Sequence, residues 1–347
     1  MRLVLLLLSG LVLVTNSATA ADDVRPIVIA HRGASGYLPE HTLAAKSLAH
    51  AMGADYLEQD VVLSKDGEPI VLHDIHLDTV TDVREQFPNR VRKDGRFYAI
   101  DFTAREIGRL NAHERIDLKT GRPVFPERFP LGKGRFHVPT LREELELVQG
   151  INRGTGREVG VYVEIKAPAW HRQEGKDSSA AVLELLDEFG YRRRADKCFV
   201  QCFDPRETRR LREELKTDLK LIQLIGENRR KEAAIDYDKL RTREGLKTIA
   251  EYADGIGPRL EHLVIANATA VRVDPLVGWA KEAGLALHPY TFRADSLPEF
   301  HALLGDEPDK QFDALLQLFF EKVKVEGLFT DFPDRAIAVR DAQSRAD

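Results

Sequence analysis

Residues 27–74 read IVIAHRGASGYLPEHTLAAKSLAHAMGADYLEQDVVLSKDGEPIVLHD. The order is strand, loop, helix, strand, turn, strand. Ile27-Val28-Ile29-Ala30 is a short apolar run that ends in His31-Arg32-Gly33. Tyr56 to Val62 is a second strand and carries Glu58 and Asp60; Ile70-Val71-Leu72 is a third and ends in His73-Asp74. Two histidines, an arginine and two strand carboxylates thus gather at or near strand ends within one supersecondary unit. Chemistry in α/β proteins is done at the carboxyl ends of parallel strands, so this unit reads as the active-site half of an enzyme.

Beyond Asp74 the alternation of strand and helix stops. Residues 75–136 are rich in Arg, Asp, Lys, Phe and Pro, with breaks at Phe87-Pro88-Asn89, Lys93-Asp94-Gly95 and Thr120-Gly121-Arg122-Pro123. A segment of that length reads as a lid or a small inserted subdomain, or else as plain decorative surface that can serve as an oligomer contact. Alternation resumes at Thr140-Leu141-Arg142-Glu143, a capping box that opens a helix. Eight strands of parallel type are expected at 27–30, 56–62, 160–166, 198–203, 219–225, 254–257, 285–290 and 327–331, with helices between most of them. That count fits a (β/α)₈ barrel with an insertion after the second main strand. A doubly wound open sheet is the runner-up, but no G-x-G-x-x-G follows the first strand.

The first 20 residues are set apart. Met1-Arg2 is a short positive start, Leu3 to Val14 is apolar but too short to span a bilayer, and Ala18-Thr19-Ala20 is a small-x-small cleavage site. This reads as a secretory signal peptide cut after Ala20. The expected layout is a signal peptide at 1–20, the barrel at 21–340 with its insertion at 75–136, and a tail at 341–347. The chain should be exported, to the periplasm in a cell with two membranes, without a stable membrane anchor. A net charge of −5 over 347 residues leaves no electrostatic footprint for nucleic acid. Cys198 and Cys202 are the only cysteines. Four residues along a strand span about 13 Å, beyond the roughly 7 Å between Cα atoms that a disulfide tolerates, so two buried free thiols are expected.

Side chains alternate across a strand, so Glu58 and Asp60 share a face. In Gly160-Val161-Tyr162-Val163-Glu164-Ile165-Lys166 the valines and Ile165 belong against the helices, which turns Tyr162, Glu164 and Lys166 into the barrel. Glu58, Asp60 and Glu164 then form an all-oxygen set suited to calcium or magnesium. The alternative is a structural network in which Arg32 and Lys166 neutralise the acids; three acids against two bases leave charge uncompensated and favour the metal. His31 and His73 are matched to proton transfer near neutral pH, and Arg32 and Lys166 are natural phosphate clamps. Gly33 and Gly36 read either as points of close approach to a ligand or as loop-shaping residues.

The text His31-Arg32-Gly33, Pro39-Glu40-His41-Thr42, Glu58-Gln59-Asp60, His73-Asp74, Glu164-Ile165-Lys166, Gln201-Cys202-Phe203 and Thr330-Asp331-Phe332-Pro333 resembles the glycerophosphodiester phosphodiesterase family. The insertion and His171 to Lys176 resemble its periplasmic bacterial branch. The resemblance implies a TIM barrel that hydrolyses glycerophosphodiesters to sn-glycerol 3-phosphate and an alcohol. It implies calcium on Glu58, Asp60 and Glu164, His31 and His73 as the acid/base pair, and Arg32 and Lys166 on the phosphate. Gln201 and Phe203 become candidate substrate contacts, with Phe332 and Trp170 as further aromatics for the glycerol carbons or the core. His41 stands where many relatives carry Asn, and its role is left open, as is the choice of acid and base between the histidines. Two other functions fit less of the sequence. A phospholipase acting on intact lipids would want apolar loops at the mouth, and the insertion is charged. An exported binding protein on an inactive barrel would have no need of the full set of acids and histidines. The expected partner is a small-molecule substrate, and a homodimer through the insertion is compatible with catalysis.

Overall fold

The computed structural model describes residues 25–343; the expected signal peptide and the last four residues of the expected tail lie outside them. Among the described residues, eight parallel strands form the barrel wall: β1 (Ile27–Ala30), β2 (Tyr56–Leu63), β4 (Gly160–Ile165), β5 (Cys198–Cys202), β6 (Lys220–Ile225), β7 (Gly255–Pro258), β10 (Ala286–Leu287) and β11 (Gly327–Thr330). Their order is β10-β7-β6-β5-β4-β2-β1-β11. The last seam is closed by Phe329 N donating to Pro289 O at 3.0 Å and Phe292 N to Phe329 O at 2.8 Å. β3 (Pro69–Val71) lies off this path, antiparallel to β2, and β8 (Val264–Ala266) pairs with β9 (Val271–Val273) as an outer hairpin. The open-sheet alternative is excluded by the closing seam.

Local chemistry explains the wall. Alternation turns Ile29, Tyr56, Tyr162, Phe199, Ile222 and Phe329 inward as one cluster, with Tyr162 and Phe199 stacked at 4.7 Å between ring centroids. The intervening residues Val161, Val163, Ile165 and Val200 join the larger core between sheet and helices. Helices start on side-chain caps: Thr42 accepts from Ala45 N ahead of Leu43–Met52, and Thr140 with Glu143 forms a capping box ahead of Leu141–Thr155. The helix Pro308–Gln317 gives way to a wider turn over Leu318–Val323. The last helix, Pro333–Gln343, continues beyond residue 340. No described helix is long and apolar enough to cross a membrane. Cys198 and Cys202 are buried and free, as their strand spacing requires.

The insertion has a core of its own. Leu77, Val80, Val83, Phe97, Phe102, Ile107 and Leu110 pack with Val62, Ile70 and Leu72 of the β2–β3 hairpin. β2 overshoots the barrel so that Val61–Leu63 pair with Val71–Pro69, and β3 runs back to the mouth, where Leu72 N donates to Asp60 O at 2.8 Å. His73 therefore reaches the mouth on a returning strand rather than on a barrel strand.

Candidate active site

The mouth holds a cavity of about 320 Å³ lined by, among others, His31, Arg32, Glu58, Asp60, His73, Glu164, Lys166, Gln201 and Phe203. These nine, the residues read from sequence as acid/base, metal and substrate contacts, meet there. The strand register does the gathering: β2 sets Asp60 opposite Glu164 of β4, which in turn lies opposite Gln201 of β5. Below them the buried Lys46 donates to the Glu58 carbonyl and pairs with buried Glu144, which ties helix 43–52 and helix 141–155 to the strand carrying the acids.

Each histidine is held by a carboxylate. His31 Nδ1 lies 2.6 Å from Asp331 Oδ1, and His73 Nδ1 lies 2.6 Å from Asp74 Oδ1. Both rings thus engage Nδ1, and the geometry assigns the Nδ1–H tautomer that leaves Nε2 available to accept a proton. Burial pushes both imidazoles down to about 4, with Arg32 adding to the shift and the partner carboxylates opposing it, so both are neutral at pH 7. Burial alone would raise Asp331, but Arg293, His31 and Arg128 outweigh it and hold the carboxyl well below the usual range. Asp74 is likewise held low, by His73 and Arg115 against burial.

The acids compete for charge. Asp60 stays ionised, since Lys166, His73 and His41 outweigh the effect of burial. Glu58 and Glu164 are pushed well above the carboxylate range, first by burial and then by repulsion from Asp60. Lys166 Nζ lies 2.7 Å from Glu164 Oε1 and 3.5 Å from Asp60 Oδ1. Arg32 donates its backbone N–H to Glu58 Oε2 at 2.7 Å and Nη1 to Glu40 Oε2 at 3.0 Å. Donor atoms of His41, Glu58 and Asp60 come within 4.8 Å of one another. His41 Nε2 sits 2.8 Å from Asp60 Oδ2, while its buried Nδ1 has no partner among the described residues. Two carboxyls that the local bases cannot keep ionised, on either side of the ionised Asp60, make an oxygen set that fits a hard divalent cation. The backbone of His41 is left-handed, with φ 61°, a conformation that Asn adopts more readily than most side chains.

Other readings are revised. A Cβ on Gly33 would meet Ala45 C at 2.8 Å, and one on Gly36 would meet the Phe332 ring at 2.5 Å, so both glycines serve packing of the loop rather than approach to a ligand. Phe332 packs on Tyr37 and Phe312, and Trp170 stacks on Tyr98 at 5.5 Å. Neither is among the residues lining the cavity, whereas Phe203 is. Asp74, Asp331 and Glu40 were adjacent to the chosen histidines or inside the same motifs, and that adjacency was the available signal. Arg115, Arg128 and Arg293 carried none.

Residues 31–335 match the model of the glycerophosphoryl diester phosphodiesterase family. The glycerophosphodiester phosphodiesterase of Haemophilus influenzae is 42% identical over 342 residues, covering 93% of this chain and 92% of the relative. A crystal structure of a Silicibacter pomeroyi protein superposes with a TM-score of 0.67 at 23% identity, covering 92% of this chain and 94% of that one. An Oleispira antarctica phosphodiesterase, solved in complex with the product sn-glycerol-3-phosphate, superposes with a TM-score of 0.58 at 20% identity over 91% of this chain and 97% of that one.

Proposed function

The chain belongs to the glycerophosphoryl diester phosphodiesterase family and is a glycerophosphodiester phosphodiesterase; on that footing we propose a metal-dependent hydrolysis of glycerophosphodiesters, glycerophosphocholine and glycerophosphoethanolamine among them, to sn-glycerol 3-phosphate and the free alcohol. The observation that supports it most directly is the pair of histidines on one cavity, each with Nδ1 2.6 Å from a carboxylate. One Nε2 takes a proton from the nucleophile as its oxygen bonds to phosphorus. The other must be charged, a state its partner carboxylate and the bound phosphodiester anion favour over the free site, and its Nε2–H then goes to the departing alkoxide as its P–O bond breaks. Nucleophile and leaving group lie on opposite faces of phosphorus, which is why a base and a separate acid are needed rather than one group.

Two nucleophiles fit the same residues. Water gives glycerol 3-phosphate directly. The glycerol 2-hydroxyl gives a five-membered cyclic phosphate, which water then opens while the two histidines exchange roles. A substrate lacking the 2-hydroxyl should be inert on the second route, and rapid turnover of it would leave only the first.

Arg32 and Lys166 hold the phosphate oxygens, and Gln201, whose buried Oε1 has no partner among the described residues, accepts from a glycerol hydroxyl beside the Phe203 ring. Glu58, Asp60 and Glu164, with His41 beside them, would hold a divalent cation, read as calcium with magnesium the alternative, whose charge offsets that of the phosphodiester. The reading includes export by the periplasmic branch of the family with cleavage after Ala20, supported by the composition of residues 1–20 alone. Release of glycerol 3-phosphate from glycerophosphocholine should stop after chelation and return with added calcium. Full activity in the metal-stripped protein would refute metal dependence. A mature N-terminus at Ala21 on the exported protein checks the cleavage.

A further inference from the structure

The 75–136 insertion sends one arginine to each histidine–carboxylate pair. Arg115 donates Nη1 to Asp74 Oδ2 at 2.6 Å, while its Nε and Nη2 reach Glu40 at 3.1 and 2.6 Å. Glu40 also receives Arg32 Nη1 at 3.0 Å. A continuous chain of ion pairs therefore runs from His73 through Asp74, Arg115 and Glu40 to Arg32. Arg128 donates Nη2 to Asp331 Oδ2 at 2.7 Å and Nη1 to the Ser35 carbonyl at 3.1 Å, and it forks onto Asp295 at 2.7 and 3.0 Å. Both guanidiniums are shielded, with 16% and 5% side-chain exposure, so these pairs are not the weak surface kind.

We propose that Arg115 and Arg128 are positioning residues: the insertion is a clamp that fixes the Nδ1 partner of each histidine, Arg115 for His73 through Asp74 and Arg128 for His31 through Asp331. A carboxylate oxygen held by a guanidinium cannot rotate away from the imidazole, so the second oxygen stays on Nδ1 and Nε2 stays aimed at the cavity. The insertion is then part of the working site, although the sequence alone left it open as a lid, an inserted subdomain or plain surface. Arg115 carries the larger share. Asp331 retains Arg293, whose Nε lies 2.6 Å from Oδ2, if Arg128 is lost. Among the described residues, Asp74 retains only the Thr79 hydroxyl at 3.0 Å, besides His73, if Arg115 is lost.

This rests on His31 and His73 being the acid/base pair, so the test measures them together. The full mature chain with calcium is assayed on glycerophosphocholine and on glycerophospho-4-nitrophenol, whose leaving group needs no proton. The ratio of the two rates within one preparation does not depend on how much of a variant is folded. Of H31A and H73A, the one that removes the acid loses much more rate on the choline ester; the one that removes the base loses rate on both alike. R115Q should share the ratio of H73A, and R128Q that of H31A, so that one of the two arginine variants moves the ratio by about 10-fold and the other leaves it unchanged. Rates on glycerophosphocholine should fall about 10- to 100-fold in R115Q and about 10-fold in R128Q, with partial rescue in R115K. R84Q, at an exposed arginine of the same insertion, should match the wild type. Wild-type rates in R115Q and R128Q, or both variants losing rate on the two esters alike, would overturn the clamp. Near wild-type turnover in H31A or H73A would instead overturn the acid/base reading beneath it, a result the same assay tells apart.

Discussion

The two histidine–carboxylate pairs are alike in geometry and unlike in origin. His73 and Asp74 are neighbours in sequence, on the segment that returns from a local hairpin. His31 and Asp331 are 300 residues apart and follow the first and last barrel strands, which pair as β1 and β11. The local pair keeps 30% and 25% side-chain exposure, and the long-range pair 11% and 1%. Asp331 is buried beneath two guanidiniums and an imidazole, whereas Asp74 is partly wet and held by one guanidinium and a hydroxyl. One contact thus costs little chain entropy to form and is lightly braced. The other exists only when the barrel closes, and its charge is compensated at depth.

The largest effect should come from the histidines themselves. H31A and H73A should each lower turnover of glycerophosphocholine by about 10²- to 10⁴-fold, with circular dichroism of the folded chain unchanged. A variant of either that keeps most of its rate would break the equivalence of the pairs. Next in size, the carboxylates should separate by stability. D331N leaves Arg128 and Arg293 short of a partner around a buried carboxyl and should cost about 3–5 kcal/mol; D74N, a quarter exposed and with its hydrogen bonds partly replaceable by water, should cost about 1–3 kcal/mol. Equal shifts of the urea midpoint would say that depth makes no difference.

The acid side of the stability curve gives a finer comparison. Both imidazoles are pushed down from 6.5 to about 4, so between those values the unfolded chain binds protons that the folded chain does not. Stability therefore rises with pH across that window and is lost as pH falls through it. H31Q and H73Q should each flatten the slope between pH 6.5 and 4. The two should flatten it by similar amounts, because both imidazoles are pushed to about the same value. The smallest effect expected is that of T79V, which removes the hydroxyl 3.0 Å from Asp74 Oδ2. Loss of one such hydrogen bond is worth about 1 kcal/mol, roughly fivefold in rate, and a steady-state kcat on glycerophosphocholine would read it.

Much of this was visible before the chain was folded. Strand spacing announced eight parallel strands, and alternation in 160–166 turned Glu164 and Lys166 inward, because the period of a strand is two whatever its neighbours are. The free cysteines followed from the same period. Alternation failed for the aromatics: Phe332 and Trp170 belong to loops and a short helix, where no simple period says which way a ring points. The glycines of the first loop misled in one of their two readings, since only the packed structure shows Ala45 and Phe332 filling the space beside them.

Sequence by itself determined the barrel class and placed His31, His73, Glu58, Asp60, Glu164, Arg32 and Lys166 at one mouth, because each lies at a strand end or on a strand whose facing is set by local geometry. Tertiary structure alone decided which carboxylate serves His31, that His41 joins Glu58 and Asp60, and that the insertion reaches back with Arg115 and Arg128. Those contacts span closure of the sheet or a long irregular segment. Their formation depends on the summed burial of the whole core rather than on any pattern in the neighbouring residues.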